Sequence, residues 1–200
     1  MKVDAIKKTY IRRISQPNLK LIVKDTGKYG MGVYAGENIK KGETIKTLSG
    51  EIISFNESIE RIKKGIEEQT DSLQVRLEKD MHLDELSRTF NHSCNPNAGL
   101  RKISELFALR NIKKGEETTY DYSATVGPNI VFSLWSMTCD CGSKNCRKII
   151  GNVLTIPEKT LQRYDELEAL QDYIKKELRR ITRKIDGSFI LPRYKKIIIK

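Results

Sequence analysis

Three short stretches of this 200-residue chain crowd together side chains able to do chemistry. The first, Asn91-His92-Ser93-Cys94-Asn95-Pro96-Asn97, combines amides, a hydroxyl, an imidazole and a thiol. Its Asn, Ser and Pro residues impose an irregular, locally hydrogen-bonded backbone of the kind that often sits at sites. The second, Thr118-Thr119-Tyr120-Asp121-Tyr122, holds two phenols at alternate positions, which on a strand would share a face. Such a pair is commonly core packing, but facing a cleft it can bind or deprotonate a cation. The third runs from Cys139 through Cys141 to Cys146, with a turn at Gly142 that lets three sulfurs wrap one ion.

The remaining cysteine, Cys94, stands apart inside the first stretch. Two disulfides are arithmetically available, but no secretory signal accompanies them. Four thiolates are what a closed tetrahedral zinc site requires, with Cys94 as the fourth ligand beside Cys139, Cys141 and Cys146. Such a site is structural, since no histidine or carboxylate completes an open catalytic one. Gly30-Met31-Gly32, preceded by Gly27, is a weaker sign. It fails as a dinucleotide fingerprint because a turn-rich strand follows it rather than a helix. His82 is isolated and reads as satisfied structure.

The elements that must position these residues are short. Leu21–Val23, Val33–Ala35, Thr44–Ile45 and Glu51–Ile53 read as strands between turn-rich segments. Residues 56–69 are helix-compatible, with Ile59, Ile62 and Ile66 on one face. After Pro157 the positions Leu161, Tyr164, Leu167, Leu170, Ile174, Leu178 and Ile181 predict an amphipathic helix to about Arg183, stopped near Gly187. One internal echo stands out. The segment from Ala35 to Glu43 and that from Ala108 to Glu116 share Asn-Ile-Lys-Lys-Gly-Glu, in two similar strand–turn units. Gly42 and Gly115 are expected to supply positive-φ turn positions there.

Charge is unevenly placed. The net charge is +11, of which residues 1–20 contribute +5 and residues 171–200 contribute +7, leaving a nearly neutral middle. The basic ends suit solvation or docking, with nucleic-acid contact as the sharper reading, while the chemistry lies between them. No segment is apolar enough to span a bilayer and no signal sequence is present, so a soluble, cytoplasmic protein is expected, or a nuclear one if eukaryotic.

Taken in order, these motifs resemble the SET-domain family of lysine methyltransferases. The family pattern places a G-x-G, then G-E after a strand, then R-x-x-N-H-S-C-x-P-N, then an acidic residue leading to T-Y/F-D-Y, then a C-x-C-x4-C post-SET segment. Here these are Gly30-Met31-Gly32, Gly50-Glu51, Arg88 to Asn97, Glu117 to Tyr122, and Cys139 to Cys146. The resemblance implies a mainly β, β-clip-like fold of small sheets with a pseudoknot, plus the C-terminal amphipathic helix, α+β overall. It divides the chain into a basic N-terminal arm (1–20), the SET domain (21–125), a post-SET zinc segment (126–151) and a C-terminal helix with basic tail (152–200).

The resemblance also implies an activity: methyl transfer from S-adenosylmethionine to the ε-amine of a lysine in a protein, such as a histone-like or ribosomal one. Lys28, Tyr29, Gly30, Met31, Asn91, His92 and Tyr122 would hold the cofactor. Tyr122 would be the catalytic tyrosine, and Tyr120 would influence how many methyl groups are added, favouring mono- or dimethylation. Arg88 would be structural, and the four cysteines would bind zinc. Leu48 stands where many members carry a channel-lining tyrosine, and Thr89 where an aromatic usually follows the arginine, with Phe90 beside it. Trp135, the only tryptophan, falls between the tyrosine strand and the zinc loop, as packing or as a cover for the channel or cofactor. The rival readings are a catalytically silent SET-like module and a small zinc-dependent protein that binds nucleic acid or protein.

Overall fold

Extended runs of at most five residues, each ended by a turn, set the architecture. The structure is a computed structural model that describes residues 20–181 together with the backbone of 184–185 and 188–189. The basic arm before Lys20, most of the basic tail and the nucleic-acid role expected of them lie outside the described residues. β1 (Leu21–Asp25) and β2 (Met31–Ala35) form a hairpin. β3 (Thr44–Thr47) pairs with β8 (Glu105–Ala108), which pairs in turn with β7 (Ala98–Arg101). β4 (Gly50–Ser54) and β5 (Ser72–Arg76) flank β6 (Lys79–Leu83). The two-residue strands β9 (Met137–Thr138) and β10 (Ile149–Ile150) pair with each other, as do β11 (Lys184–Ile185) and β12 (Ser188–Phe189). The fold is therefore the β-rich α+β arrangement of small sheets that the resemblance implies.

These sheets enclose one apolar core in which Val33, Leu48, Phe90, Leu100, Leu106 and Ile112 are fully buried. Leu48 belongs to this core, and Phe90 fills it beside the half-turn at Ser87–Thr89 that carries Arg88. Among the described residues no helix is long and apolar enough to cross a membrane.

The helices depart from the sequence reading in two places. α1 spans Phe55–Lys63, capped by Ser54, whose hydroxyl accepts the Glu57 N–H at 3.1 Å. It ends six residues before the expected boundary at 69, because Gly65 turns left-handed at φ 66°. Ile66 is then outside the helix and 68% exposed. The C-terminal periodicity is carried by two helices, α2 (Glu158–Glu166) and α3 (Asp172–Ile181). Between them Glu168 adopts φ 56°, and the Ala169 N–H reaches back to the Tyr164 carbonyl at 2.7 Å, a left-handed helix stop built without glycine. Packing forces the break. It brings Ala169 down on Gly99, where a Cβ would stand 2.7 Å from the Ala169 Cβ. It also buries Leu170 and Gln171, and the Gln171 side chain donates to the carbonyls of Gln74 and Ile103.

The internal echo is a reciprocal clasp. Ile39 and Ile112 exchange both backbone hydrogen bonds at 2.8 Å. The Asn111 side chain accepts the Lys41 N–H at 2.8 Å, and the Asn38 side chain accepts the Lys114 N–H at 2.9 Å. Gly42 donates to Ala108 and Gly115 donates to Ala35, both glycines having positive φ as expected. Glu43 and Glu116 each cap their own turn, accepting the N–H of Lys40 and Lys113 at 3.0 Å. Each of these contacts made by one copy is made by the other in mirror role.

Equivalent bonds should be worth equal amounts. Asn38→Ala and Asn111→Ala are each expected to cost at most about 1 kcal/mol, a Tm loss of about 2–4 °C in thermal denaturation. Markedly unequal losses would show that the clasp is symmetric in geometry only.

Candidate functional site

The clasp leads directly into residues 117–122, which lie alongside the 91–97 segment. Tyr120 N–H donates to the Asn91 carbonyl at 3.2 Å, Ser93 N–H to the Tyr120 carbonyl at 3.1 Å, and Ala98 N–H to the Thr119 carbonyl at 3.0 Å. The Asn97 side chain stitches the same two segments, donating to the Glu117 carbonyl at 2.8 Å and accepting the Thr119 N–H at 3.0 Å. This is the juxtaposition that the pseudoknot expectation requires, and it explains why the segment needs short amides rather than apolar residues.

The tyrosine pair is not on a strand. Tyr120 makes a single parallel bridge with His92, and after Asp121 the chain enters a 3-10 turn over Tyr122–Thr125. The Asp121 carboxylate, which accepts the Ser123 N–H at 3.1 Å, starts that turn. The two rings still meet, with centroids 4.9 Å apart and planes tilted by 49°. The Tyr122 hydroxyl donates to the Phe90 carbonyl at 2.8 Å. Burial raises the pKa of both phenols, with the charge of Tyr120 adding to the effect on Tyr122, so at neutral pH both keep their protons and act as dipoles.

Tyr122 separates two hollows. On one side, a cleft of about 260 Å³ is lined by Tyr29, Asn91, His92, Met137 and Asp140, and an adjoining hollow of about 230 Å³ adds Arg110 and Glu117. On the other, a narrow channel of about 50 Å³ runs between Phe55, Ile59, Tyr120 and Trp135. Tyr122 and Thr70 line both the cleft and the channel. Leu48, expected from the resemblance near this channel, does not line it. Trp135 does, and its indole N–H donates to the Gln69 carbonyl at 3.2 Å while the ring packs on the core.

The turn at Lys28–Met31 closes one wall of the cleft. Thr26 accepts the N–H groups of Lys28 and Tyr29 at 3.3 and 2.7 Å, and Gly30 takes φ 74°. Lys28 Nζ reaches the Asp140 carboxylate at 2.5 Å, and the Tyr29 hydroxyl donates to the Asp140 carbonyl, so the turn is tied to the cysteine loop. The Asn91 amide donates to the Met31 carbonyl at 3.1 Å and to Glu117 Oε1 at 2.8 Å. Gly32 makes this possible: a Cβ there would stand 2.6 Å from Glu117 Oε1 and 3.0 Å from Asn91 Nδ2.

The cysteine loop folds back on Cys94. Cys94 Sγ lies 3.8 Å from Cys139 Sγ, which lies 3.7 Å from Cys146 Sγ. Zinc with bonds near 2.3 Å in a tetrahedron holds its sulfurs about 3.8 Å apart, so the donor set fits that ion. The sulfurs of Cys94, Cys139 and Cys141 and a ring nitrogen of His92 also lie within 4.8 Å of one another. His92 also meets Cys94 through a hydrogen bond. Its Nδ1 accepts the Tyr122 N–H at 3.2 Å, which leaves the proton on Nε2, and Nε2 faces Cys94 Sγ at 3.3 Å as a donor. Burial, reinforced by Arg147, pushes the His92 pKa down to about 3, so the ring is neutral.

Arg147 joins the cysteines to the tyrosines. Its N–H and Nε each lie 3.4 Å from Cys94 Sγ, and its Nη2 lies 2.5 Å from Asp121 Oδ1. Burial pushes the Asp121 carboxyl up, against the pull of Arg147. Cation–thiolate and cation–carboxylate contacts of this kind orient a metal ligand from outside the coordination shell. Sequence reasoning missed Arg147, Asp140, Thr70 and Met137. The first two were marked only by adjacency to cysteines, and the others carried no signal at all. His82, read as structural, lies on β6 with Nδ1 2.9 Å from Glu67.

Small antiparallel sheets, two strand–turn units clasped together and a two-sided tyrosine site define the class of protein. Residues 30–123 match the SET domain. The chain is 36% identical over 144 residues to the variant-silencing SET domain-containing protein of Plasmodium falciparum, covering 63% of this chain and 5% of that one. It is 34% identical over 149 residues to the histone-lysine N-methyltransferase ASHR3 of Arabidopsis thaliana (66% and 28%), and 36% over 146 residues to ASHH3 of the same plant (66% and 38%). It thus spans well under half the length of these curated relatives. The methyltransferase domain of human histone-lysine N-methyltransferase SETMAR superposes with a TM-score of 0.51 at 24% identity, covering 66% of this chain and 58% of that one. Residues 30–123 thus carry a SET domain, and the chain is similar to histone-lysine N-methyltransferases across that region.

Because Arg147 contacts Cys94 Sγ, Arg147→Leu is expected to weaken zinc retention by roughly ten- to a hundredfold, read by competition against a chromophoric chelator. If Cys146 is a ligand, Cys146→Ser should weaken it further. Wild-type affinity in the Arg147 variant would remove its orienting role.

Proposed function

We propose that this chain methylates the ε-amine of a lysine in a protein substrate, with S-adenosylmethionine as methyl donor. The observation that carries this reading is that Tyr122 lines both the cleft and the narrow channel. Two reactants entering from opposite sides would meet at that one ring. The Lys28–Met31 turn, Asn91 and His92 would hold the cofactor in the cleft, and when bound it would supply an activated methyl on a sulfonium. Cys94, Cys139, Cys141 and Cys146 would hold a structural zinc that fixes the cleft wall at Asp140 and, through Arg147, the Asp121–Tyr122 turn.

The channel would take the lysine. A free lysine has a pKa of about 10.4 and must lose its proton to become a nucleophile. Desolvation between Phe55, Ile59 and Trp135 favours the neutral amine. The Tyr122 hydroxyl would orient that amine, and Tyr120, its ring against Tyr122, would narrow the space for an amine already carrying methyl groups. The protein's contribution is alignment, worth up to roughly 7–11 kcal/mol in well-oriented cases. Mono- or dimethyl-lysine is the expected product. Histones are the substrate class that the names of several relatives suggest, which would place the protein in a nucleus; ribosomal or other basic proteins would place it in the cytoplasm.

Tyr122→Phe is expected to reduce transfer of labelled methyl to protein by about a hundredfold or more, while calorimetry shows the cofactor still bound. Loss of cofactor binding in the variant, or undiminished transfer, contradicts the role given to the hydroxyl. Tyr120→Phe should shift the product toward trimethyl-lysine by mass spectrometry; an unchanged product distribution would mean that Tyr120 does not set it.

A further inference from the structure

One buried carboxylate oxygen has no partner. Asp80 sits on the central strand β6, whose other face sends Met81 and Leu83 into the core. It is only 6% exposed, and its Oδ1 has no hydrogen-bond partner. The neighbouring groups that act on it are the Ser58 side chain, which hydrogen-bonds it, and Glu67, whose like charge repels it. Among the described residues no cation pairs with it. A buried carboxylate oxygen without a partner is costly, and such a group calls for an explanation, a ligand that completes it among them.

Asp80 lines the same narrow channel as Tyr120 and Tyr122. The channel lining mixes apolar and aromatic side chains, Phe55, Ile59 and Trp135 among them, with polar ones such as Ser58 and Gln74. A slender methylene stem ending in a positive charge fits this combination. The stem takes the apolar wall and the charge takes the free oxygen, with aromatic faces able to add to its binding. Burial raises the Asp80 carboxyl above its usual range, a cost that an entering cation would offset.

We propose that Asp80 is the anionic acceptor for a basic side chain of the protein substrate, and so sets which substrates dock in the channel. The proposal rests on the methyltransferase reading for its substrate but not for its chemistry. The side chain is either the target lysine on its way to Tyr122 or a Lys or Arg beside it in the substrate, and both present the same alkyl cation. The target amine must be neutral when it reacts, so the role of Asp80 is in docking and not in the transfer itself.

The test begins with binding. n-Butylammonium and n-butylguanidinium, titrated into the zinc-loaded full chain, should shift the 13C-carboxyl resonance of Asp80, whereas n-pentanol should not. Asp80→Asn, which keeps the shape and removes the charge, should weaken cation binding at least tenfold and leave the melting temperature equal or higher. Cations that bind neither protein, or both equally, overturn the proposal. With core histones as substrate, Asp80→Asn should raise KM about tenfold, more than it lowers kcat; a loss confined to kcat also overturns it. A peptide whose only basic residue is the target lysine identifies the source, since its KM rises in the variant only if the target lysine is what Asp80 receives. If the wild-type protein methylates nothing, the methyltransferase reading falls while the titration still decides whether the channel is a cation site.

Discussion

The reciprocal pairing of Ile39 with Ile112 is the constraint on which the rest of the structure depends. It closes a loop from the first echo unit to the second, and both three-stranded sheets, the first helix and the Asn91–Asn97 segment are strung along that loop. Closing so long a loop costs entropy, but the cost grows only slowly with length, so one well-made closure can hold many short elements. Neither echo unit is stable alone, because a strand–turn of this size leaves backbone groups unpaired. Each supplies what the other lacks. The chain leaving the second unit is thereby delivered to the 91–97 segment in fixed register, which is how Tyr122 comes to stand beside His92.

From there rigidity is passed on through polar contacts between buried groups. Arg147 holds Cys94 and Asp121 together, Asp121 starts the Tyr122 turn, and the Tyr122 N–H fixes the tautomer of His92, which faces Cys94 again. The circuit returns to its starting sulfur, so the metal-binding loop and the tyrosine site cannot relax independently. Buried polar networks are worth most when every member is satisfied, and they specify one arrangement in place of many. A zinc held by the cysteines would therefore bear on the proposed reaction by keeping the Tyr122 turn in place.

How much of this was legible in the sequence depended on whether the residue types themselves carried the constraint. The glycines of the echo announced their positive-φ turns, and the Asn91–Asn97 amides announced an irregular backbone. The cysteine spacing announced a shared ion. The break between the two C-terminal helices was hidden, because Glu168 adopts the left-handed conformation that glycine or asparagine would have advertised. Alternation of Tyr120 and Tyr122 suggested a strand, but Asp121 starts a turn and the rings meet by folding over it. Asp80 carried no signal in the sequence; the helix packed against its strand is what buries it. Arg147 was marked only by its place beside Cys146, because its partners lie 26 and 53 residues earlier.

The single tryptophan has a consequence of another kind. Trp135 lines the channel with one edge and anchors its indole N–H on Gln69, so its fluorophore is fixed in orientation yet borders the space a substrate would fill. No second indole dilutes the signal. Expelling water from the channel would change the polarity around that ring and with it the emission maximum, so the protein carries an intrinsic optical gauge of whether its channel is wet or occupied.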